Sequence, residues 1–214
     1  MRRAFFIDDY NTWYDWDLTL TAKDTPTPEP KTNYVELGGV SGSLDLTEAL
    51  QGEVAYSDRT VTASFWTSEG DYSYRDAIVK QVVSLTHGKK VKIVEPDDPD
   101  HYFLGRIMVK NITRSQVHMA FDIEAICEPW RYALEETECR VRGGETIQIW
   151  NEGVKTLCPE LEVEGSVTLT YEGDKVNLTA GRYRIAGLRL RQGENMVSVS
   201  GSGSVTFIYR EATL

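Results

Sequence analysis

The sequence has few long apolar runs, and none is long enough to cross a membrane. A membrane-spanning helix needs about 20 consecutive apolar residues, whereas the first apolar run, Ala4–Ile7, ends at two aspartates. A secretory signal needs an apolar stretch of about 7–15 residues, so this run is too short for that role as well. We therefore expect a protein that is made in the cytosol and stays soluble there.

Cysteine pairs and basic clusters are also scarce. The three cysteines, Cys127, Cys139 and Cys158, form no CxxC pair, so a disulfide framework and a zinc site both fit poorly and buried reduced thiols are favoured. Acidic residues outnumber basic ones, 33 to 23, and the densest basic cluster spans only 89–92. Because binding to a nucleic-acid duplex depends on clustered lysine and arginine, we expect no direct recognition of nucleic acid.

Catalytic and phosphate-binding motifs are missing as well. Gly39–Gly42 is one residue too short for a nucleophile elbow, and no lysine follows these glycines as a phosphate loop requires. The glycines therefore predict a turn. A site assembled from Ser, His, Asp or Cys side chains that are distant in sequence stays open, because such partners meet only in the fold. We assign no catalytic or cofactor-binding residue.

The acidic segment "PDDPDH" is the best candidate for a metal site, since Asp97, Asp98 and Asp100 offer hard oxygen ligands beside His101. It lacks the central glycine and the distal glutamate of an EF-hand loop. Its two prolines lie between two strand-like runs, which is typical of an exposed hairpin turn. We therefore predict a turn here and no metal.

The first half of the chain contains strand patterns and one helix pattern. In "RTVTASFWT", apolar and polar residues alternate, which predicts a half-buried strand. A helix is predicted near 73–87, with Ser73 and Asp76 as a capping box and Gly88 as its left-handed stop. The apolar stripe of this helix consists of Ile78, Val82 and Leu85.

The second half contains only short alternating runs separated by glycines, which predicts a small β-sandwich. Gly173-Asp174 suits a two-residue type II′ hairpin turn. In "NMVSVSGSGSVTFIY", a Gly-Ser-Gly turn is predicted between two strands. Composition shifts near residue 132, where Pro129 is expected to stop a strand. The predicted domains are an α+β domain at 1–132 and a β-sandwich at 133–214, so the chain is mainly β with one helix.

Aromatic residues are concentrated in the first half, notably in "YNTWYDWDL". Tryptophan and tyrosine anchor many protein interfaces, and the prolines at 26–30 hold an extended segment that could reach a neighbouring subunit. The predicted oligomer-interface residues are Trp13, Trp16, Pro28, Pro30, Tyr34 and Trp66.

Several segments in order resemble the distal tail protein family of siphophages. Over about residues 5–132 they are "IDDYNTWYDWDLTL", "PKTNYVELGGVSGSLDLTEAL", Leu85–Ile93 and "DDPDHYFLGRIMV". The later segments "IWNEGVKTLCPELEVEGSVTLTY" and "GENMVSVSGSGSVTFIYREATL" are similar to the second domain of tail-tip components in phages and prophages of Gram-positive bacteria.

The resemblance implies a structural hub in the virion, at the tip of the phage tail, with no enzymatic activity, cofactor or metal. The N-terminal domain would form a hexameric ring around a DNA channel, and a galectin-like C-terminal sandwich would face outward. The implied partners are the tail tube protein, a tail-associated lysin or fibre protein, and a receptor-binding protein. An acidic channel would repel passing DNA and keep it from sticking.

Two other functions stay open. The first is a carbohydrate-binding module that attaches a particle to cell-surface glycans, marked by exposed stacking aromatics in the C-terminal domain. Against it, the sugar site of galectins is not visible here, because no histidine follows His118 and Trp150 is the only late tryptophan. The second is a tail-associated hydrolase, which would need a Glu, Asp and His constellation in a cleft.

Overall fold

The computed structural model describes residues 4–39, 41–49 and 52–214. These residues form sixteen strands and one α-helix, and the predicted fold class is confirmed. The chain divides into two compact units, residues 1–130 with Leu214 and residues 131–213. Val40, part of the Gly39–Gly42 segment, lies outside the described residues.

The elements up to the unit boundary are β1 (Phe6–Ile7), β2 (Tyr10–Asn11), β3 (Thr19–Asp24), β4 (Tyr34–Glu36), β5 (Ser43–Asp45), β6 (Arg59–Thr67), α1 (Tyr72–Thr86), β7 (Lys90–Glu95), β8 (Asp98–Arg114) and β9 (Met119–Ala133). The elements after it are β10 (Thr137–Arg142), β11 (Thr146–Asn151), β12 (Glu160–Tyr171), β13 (Asp174–Arg184), β14 (Gly193–Gly201), β15 (Ser204–Tyr209) and β16 (Ala212–Thr213).

The first unit is built on one antiparallel sheet with the strand order β2-β1-β7-β8-β9-β6-β3. Alternate side chains of its strands form the core, and the alternation predicted for 59–67 is confirmed, since Val61, Ala63 and Phe65 are all buried. The sheet curls, because Lys23 on β3 reaches Glu95 at the end of β7 with an Nζ–Oε1 distance of 3.3 Å. The twist common to all sheets favours such curling.

Helix α1 covers the core with the predicted apolar stripe, and Ile78 and Val82 are buried. The predicted capping box is wrong. The N-cap is Asp71, whose carboxylate accepts a hydrogen bond from the Tyr74 backbone N–H at 2.8 Å. An aspartate one residue before the helix satisfies this otherwise unpaired N–H more directly than Ser73, which lies inside the first turn. Gly88 has a φ of 77°, as its predicted role as a helix stop requires.

The acidic segment forms the predicted hairpin turn. Glu95 pairs with Asp98, and Pro96–Asp97 connects β7 to β8. The Asp98 carboxylate contacts Nδ1 of His101 at 2.8 Å. Two of the candidate metal ligands are therefore engaged with each other at the start of β8.

Two predicted boundaries are wrong. Pro129 does not stop a strand, because β9 continues to Ala133. The pairing of β9 with β6 ends at Cys127, so Pro129 needs no N–H for that neighbour. The hairpin turn between β12 and β13 consists of Glu172–Gly173, not Gly173-Asp174. Both turn residues have positive φ, 48° and 93°, which defines a type I′ turn.

The second unit is a β-sandwich whose longest strand, β12, pairs with β13 along one edge. Along its other edge, β15 pairs with the first part of β12 and β14 with the last part, and both run antiparallel to it. The predicted turn at Gly-Ser-Gly 201–203 is therefore wrong, since the chain runs on from β14 into β15 without reversing. On the far side, β11 pairs with β14 and β10 with β15.

Glycines lie at the point where the pairing partner of β12 changes from β15 to β14. A Cβ on Gly143 would lie 2.1 Å from the Gly201 carbonyl oxygen, and a Cβ on Gly203 would lie 2.0 Å from that of Glu164. No side chain fits at such distances, so only glycine allows the neighbouring backbones to approach this closely. We call this set the glycine seam; its members are Gly143, Gly165, Gly201 and Gly203.

Candidate assembly surfaces

Between the adjacent strands β3 and β6, the chain forms a long projecting segment made of two antiparallel halves. We call this segment, residues 29–57, the arm. Its base is closed by a hydrogen bond from the Ser57 N–H to the Glu29 carbonyl oxygen at 2.8 Å and by the bridge between Pro30 and Tyr56. The Tyr56 ring packs edge-on against Trp130, with 5.6 Å between ring centroids. The base of the arm is therefore attached to the core unit.

The outer part of the arm is a two-stranded hairpin, β4 with β5. Every described residue from 29 to 45 is exposed. Tyr34, Leu37 and Leu44 are 59%, 49% and 50% exposed. Because an isolated two-stranded hairpin is marginally stable in water, a hairpin that exposes these apolar side chains is suited to a surface outside the chain.

Hydrogen bonds hold the two halves of the arm in place but leave the hairpin exposed. The Asp45 carboxylate accepts hydrogen bonds from the Thr47 N–H and hydroxyl, and these bonds hold the Asp45 pKa below its usual value. The Leu46 N–H donates to the Asn33 carbonyl oxygen at 2.8 Å. The arm is thus shaped locally, while its apolar side chains remain in solvent.

The aromatic segment 10–17 forms a compact loop around one side chain. The Asn11 side-chain oxygen accepts hydrogen bonds from the backbone N–H groups of Trp13 and Tyr14, at 2.9 and 3.0 Å. Trp16 is fully buried and stacks on Tyr10 with 5.1 Å between ring centroids. The prediction that Trp16 lies at an oligomer interface is therefore wrong, because a ring buried in the core has no surface available to another chain. Tyr14 is 82% exposed instead.

Trp66 lies on the outer face of the sheet and is 37% exposed. Its ring meets His118 edge-on, at 6.5 Å between centroids. Together with Ser64, Ala120 and Asp122, these rings line an open groove of about 340 Å³. The exposed part of the Trp66 ring forms one wall of the groove, and aromatic rings are enriched at protein interfaces.

The remaining interface candidates fall in different places. Pro30 and Tyr34 are exposed on the arm, and Trp13 is half-buried in the aromatic loop. Pro28 is buried just before the arm, so it fixes the path of the chain and offers no contact surface. The arm thus brings two of the candidates together, while Trp66 lies on the sheet.

Sequence reasoning missed Leu37 and Leu44, which are as exposed as the predicted aromatic residues. A strand pattern alone does not reveal whether its apolar face meets the chain's own core or another chain. The available signal was the cluster of three prolines and three glycines around these leucines, because such residues limit packing into a sheet.

Ser115, His118 and Cys127 carry side chains that can be reactive in enzymes, but their contacts here stabilise the fold. The Ser115 hydroxyl lies 3.2 Å from Nδ1 of His118, but it also donates to the His118 carbonyl oxygen at 2.7 Å and accepts from the His118 N–H at 2.9 Å. This is a side-chain-stabilised turn between β8 and β9. Burial raises the pKa of the Cys127 thiol to about 12, which keeps it protonated and unreactive.

Two further features were sought in the part of the chain that the structure describes, a cluster of metal ligands and a membrane-spanning helix. There, no group of three or more His, Cys, Asp or Glu side chains is arranged to hold a metal ion. In the same residues, no helix has the length and apolar character needed to cross a membrane.

Comparison with known proteins gives a structural match. No family model matches the chain, and a search of curated proteins found no significant sequence similarity. Among solved structures, the fold is similar to that of SPP1 Dit (gp 19.1), described as a paradigm of the hub adsorption apparatus in phages that infect Gram-positive bacteria. The TM-score is 0.72 at 11% identity, and the match covers 98% of this chain and 99% of that one. The two chains therefore share a fold over nearly their whole lengths.

Proposed function

We propose that this chain is a structural hub of a phage tail, which forms a hexameric ring at the distal end of the tail tube and leaves a channel for DNA. The ring is the task of the domain at 1–132, and the β-sandwich at 133–214 faces outward. Its partners are the tail tube protein, a tail-associated lysin or fibre protein, and a receptor-binding protein. Its place is the virion, and no enzymatic activity is part of this role.

The arm is the observation that carries the proposal. A soluble monomer would gain nothing by holding the side chains of Tyr34, Leu37 and Leu44 in water. A head-to-tail arrangement of identical copies places the arm of each copy on the body of the next, and it closes into a ring when each step divides a full turn. The arm then contributes apolar contact at every junction.

Two further observations support a hub. The fold is shared with SPP1 Dit over nearly the full length of both chains. The net charge of −10 suits a protein that encloses passing DNA, because like charges repel the phosphate backbone. The groove beside Trp66 is a second candidate contact, since tryptophan anchors many protein interfaces.

Analytical ultracentrifugation of the full chain at its highest soluble concentration tests the proposal. Six copies of 24.2 kDa give a closed species of 145.2 kDa, and negative-stain electron microscopy should show rings of six. A single closed species supports the hub. An open ladder of sizes, or a two-fold dimer, contradicts a ring.

A further inference from the structure

The glycine seam divides the outer surface of the second unit into two chemically different halves. On one side of it, outward positions of four strands are mostly charged, and the Arg182 guanidinium lies 3.4 Å from Glu162 and 3.6 Å from Glu160. We call this the charged face. Its charged residues are Glu138, Arg140, Arg142, Glu160, Glu162, Glu164, Arg182 and Arg184, and between them lie the uncharged Thr206 and Ile208 of β15.

On the other side of the seam, the outward positions of the same strand paths carry hydroxyl and amide groups. We call this the hydroxyl face. Its residues are Thr146, Gln148, Trp150, Thr168, Thr170, Asn177, Thr179, Met196, Ser198 and Ser200. Of the residues that the structure describes here, two are charged, Glu194 and Lys175. They have opposite signs: Glu194 lies on β14 directly opposite Trp150, and Lys175 lies on β13, two strands away.

The hydroxyl face is a set of side-chain rows across paired strands. Thr146 and Ser198 share a hydrogen bond of 2.8 Å between their hydroxyl oxygens, and the Thr168 hydroxyl donates to the Asn177 side chain at 2.8 Å. Each pair leaves further donor or acceptor positions on the same side chains. The rows therefore offer both donors and acceptors along the face.

At one end of these rows stands Trp150, whose side chain is 52% exposed. Met196, on the neighbouring strand and one row nearer the seam, is also 52% exposed. Trp150 lies four residues from Thr146 on the same strand, or about 13 Å away. The face thus combines one flat apolar ring with a polar track longer than a single pyranose ring.

The charges on the hydroxyl face indicate which class of ligand could bind there. A nucleic acid or another polyanion would need clustered lysine or arginine, and the two charges here cancel. A protein partner fits poorly, because serine and threonine are under-represented among the residues that dominate protein interfaces. A neutral polyhydroxyl chain fits both parts, since its hydroxyls match the rows and the C–H face of one ring can stack on the indole.

We propose that the hydroxyl face binds a linear neutral saccharide, with Trp150 as the stacking platform and Gln148, Asn177 and the Thr and Ser hydroxyls as hydrogen-bonding partners. This site does not depend on ring formation. It uses none of the side chains of the arm or of the groove beside Trp66.

The test titrates the full chain with three neutral hexasaccharides, N-acetylchitohexaose, cellohexaose and maltohexaose, by isothermal calorimetry. At least one should bind with a Kd of about 0.1–1 mM. Added salt should not weaken this binding, because no ion pair forms. Trp150→Ala should weaken it at least about tenfold, whereas Trp150→Tyr, which keeps a flat ring, should retain most of it.

Arg182→Ala on the charged face is the matched control and should leave binding unchanged. Thermal melting should show that all three variants fold, since both altered side chains are largely exposed. Failure of all three saccharides to bind at about 10 mM overturns the proposal. Equal affinity in Trp150→Ala also overturns it, and so does binding of dextran sulfate alone.

Discussion

The arm and the strand pair β12–β13 are both antiparallel ribbons, but they differ in what they bury. In β12, Leu161, Val163 and Val167 are all buried in the core of the second unit. In the arm, every described residue from 29 to 45 is exposed. A ribbon that buries every second side chain is stabilised by its own chain. A ribbon that buries none depends on another surface for its apolar contacts.

This difference predicts that substitutions will separate into two kinds. Changes in the buried ribbons and in the core should lower the free energy of unfolding of the chain. Changes on the arm should leave that free energy almost unaltered and weaken assembly.

The two tryptophans Trp16 and Trp66 offer the sharpest contrast in stability. Trp16→Ala should lower the free energy of unfolding by about 3–5 kcal/mol, because it empties a large site in the core. Trp66→Ala removes a ring that is 37% exposed and should cost less than about 1 kcal/mol. Urea denaturation of dilute, monomeric protein measures both. Equal losses would show that the core and the outer face are not distinguished as described.

The glycine seam predicts a steric penalty at Gly203. Gly203→Ala places a Cβ 2.0 Å from a backbone oxygen, so the strands must shift, at a cost of about 1–3 kcal/mol. Gly187→Ala is the control, because a Cβ there meets nothing within 4 Å. Thermal melting compares the two variants. A tolerated Gly203→Ala would mean that the strands are not held together at the seam.

On the arm, Tyr34→Ser combined with Leu44→Ser should change the free energy of unfolding by less than about 0.5 kcal/mol, since both side chains are exposed. The same change should weaken self-association at least about tenfold. Glu36→Ser, which alters an exposed polar residue of the same hairpin, is the control. Sedimentation velocity at several concentrations gives the association constants, and unchanged association in the double variant would contradict the role of the arm.

The smallest effect is expected at Asp76, which bonds to Lys80 at 2.6 Å and to Arg114 at 2.9 Å. These hydrogen bonds lower the Asp76 pKa below its usual 3.8. The carboxylate therefore stabilises the fold above that pH, and this contribution is lost as the pH falls through the lowered pKa. Asp76→Asn should melt slightly below the native chain at pH 7. The difference should disappear in strong acid, whereas a difference that persists there would point to another cause.

Much of the fold follows from local pattern. The alternation in 59–67 and 160–171 predicted strands because one face of each is buried, and Gly88 predicted the end of the helix. The turn predicted at Gly-Ser-Gly 201–203 was wrong, because glycine occurs both in tight turns and where two backbones approach closely. Only the pairing with β12 distinguishes these two cases. The interface role predicted for Trp16 was wrong for a related reason, since an aromatic residue is equally suited to a core and to an interface. Whether Leu37 and Leu44 face a core or another chain is set by tertiary contacts that no local pattern contains.

Replacing the arm tests the central claim most directly. The Glu29 carbonyl oxygen and the Ser57 N–H are hydrogen-bonded, so residues 30–56 can be replaced by Asn-Gly as a tight turn. The replacement removes the contact between Tyr56 and Trp130 but keeps every buried residue of the core. Native mass spectrometry of both proteins at the same concentration should give 145.2 kDa for the full chain, six times 24.2 kDa, and a monomer for the shortened chain. A shortened chain that still assembles into a hexamer would contradict the claim that the arm joins the subunits.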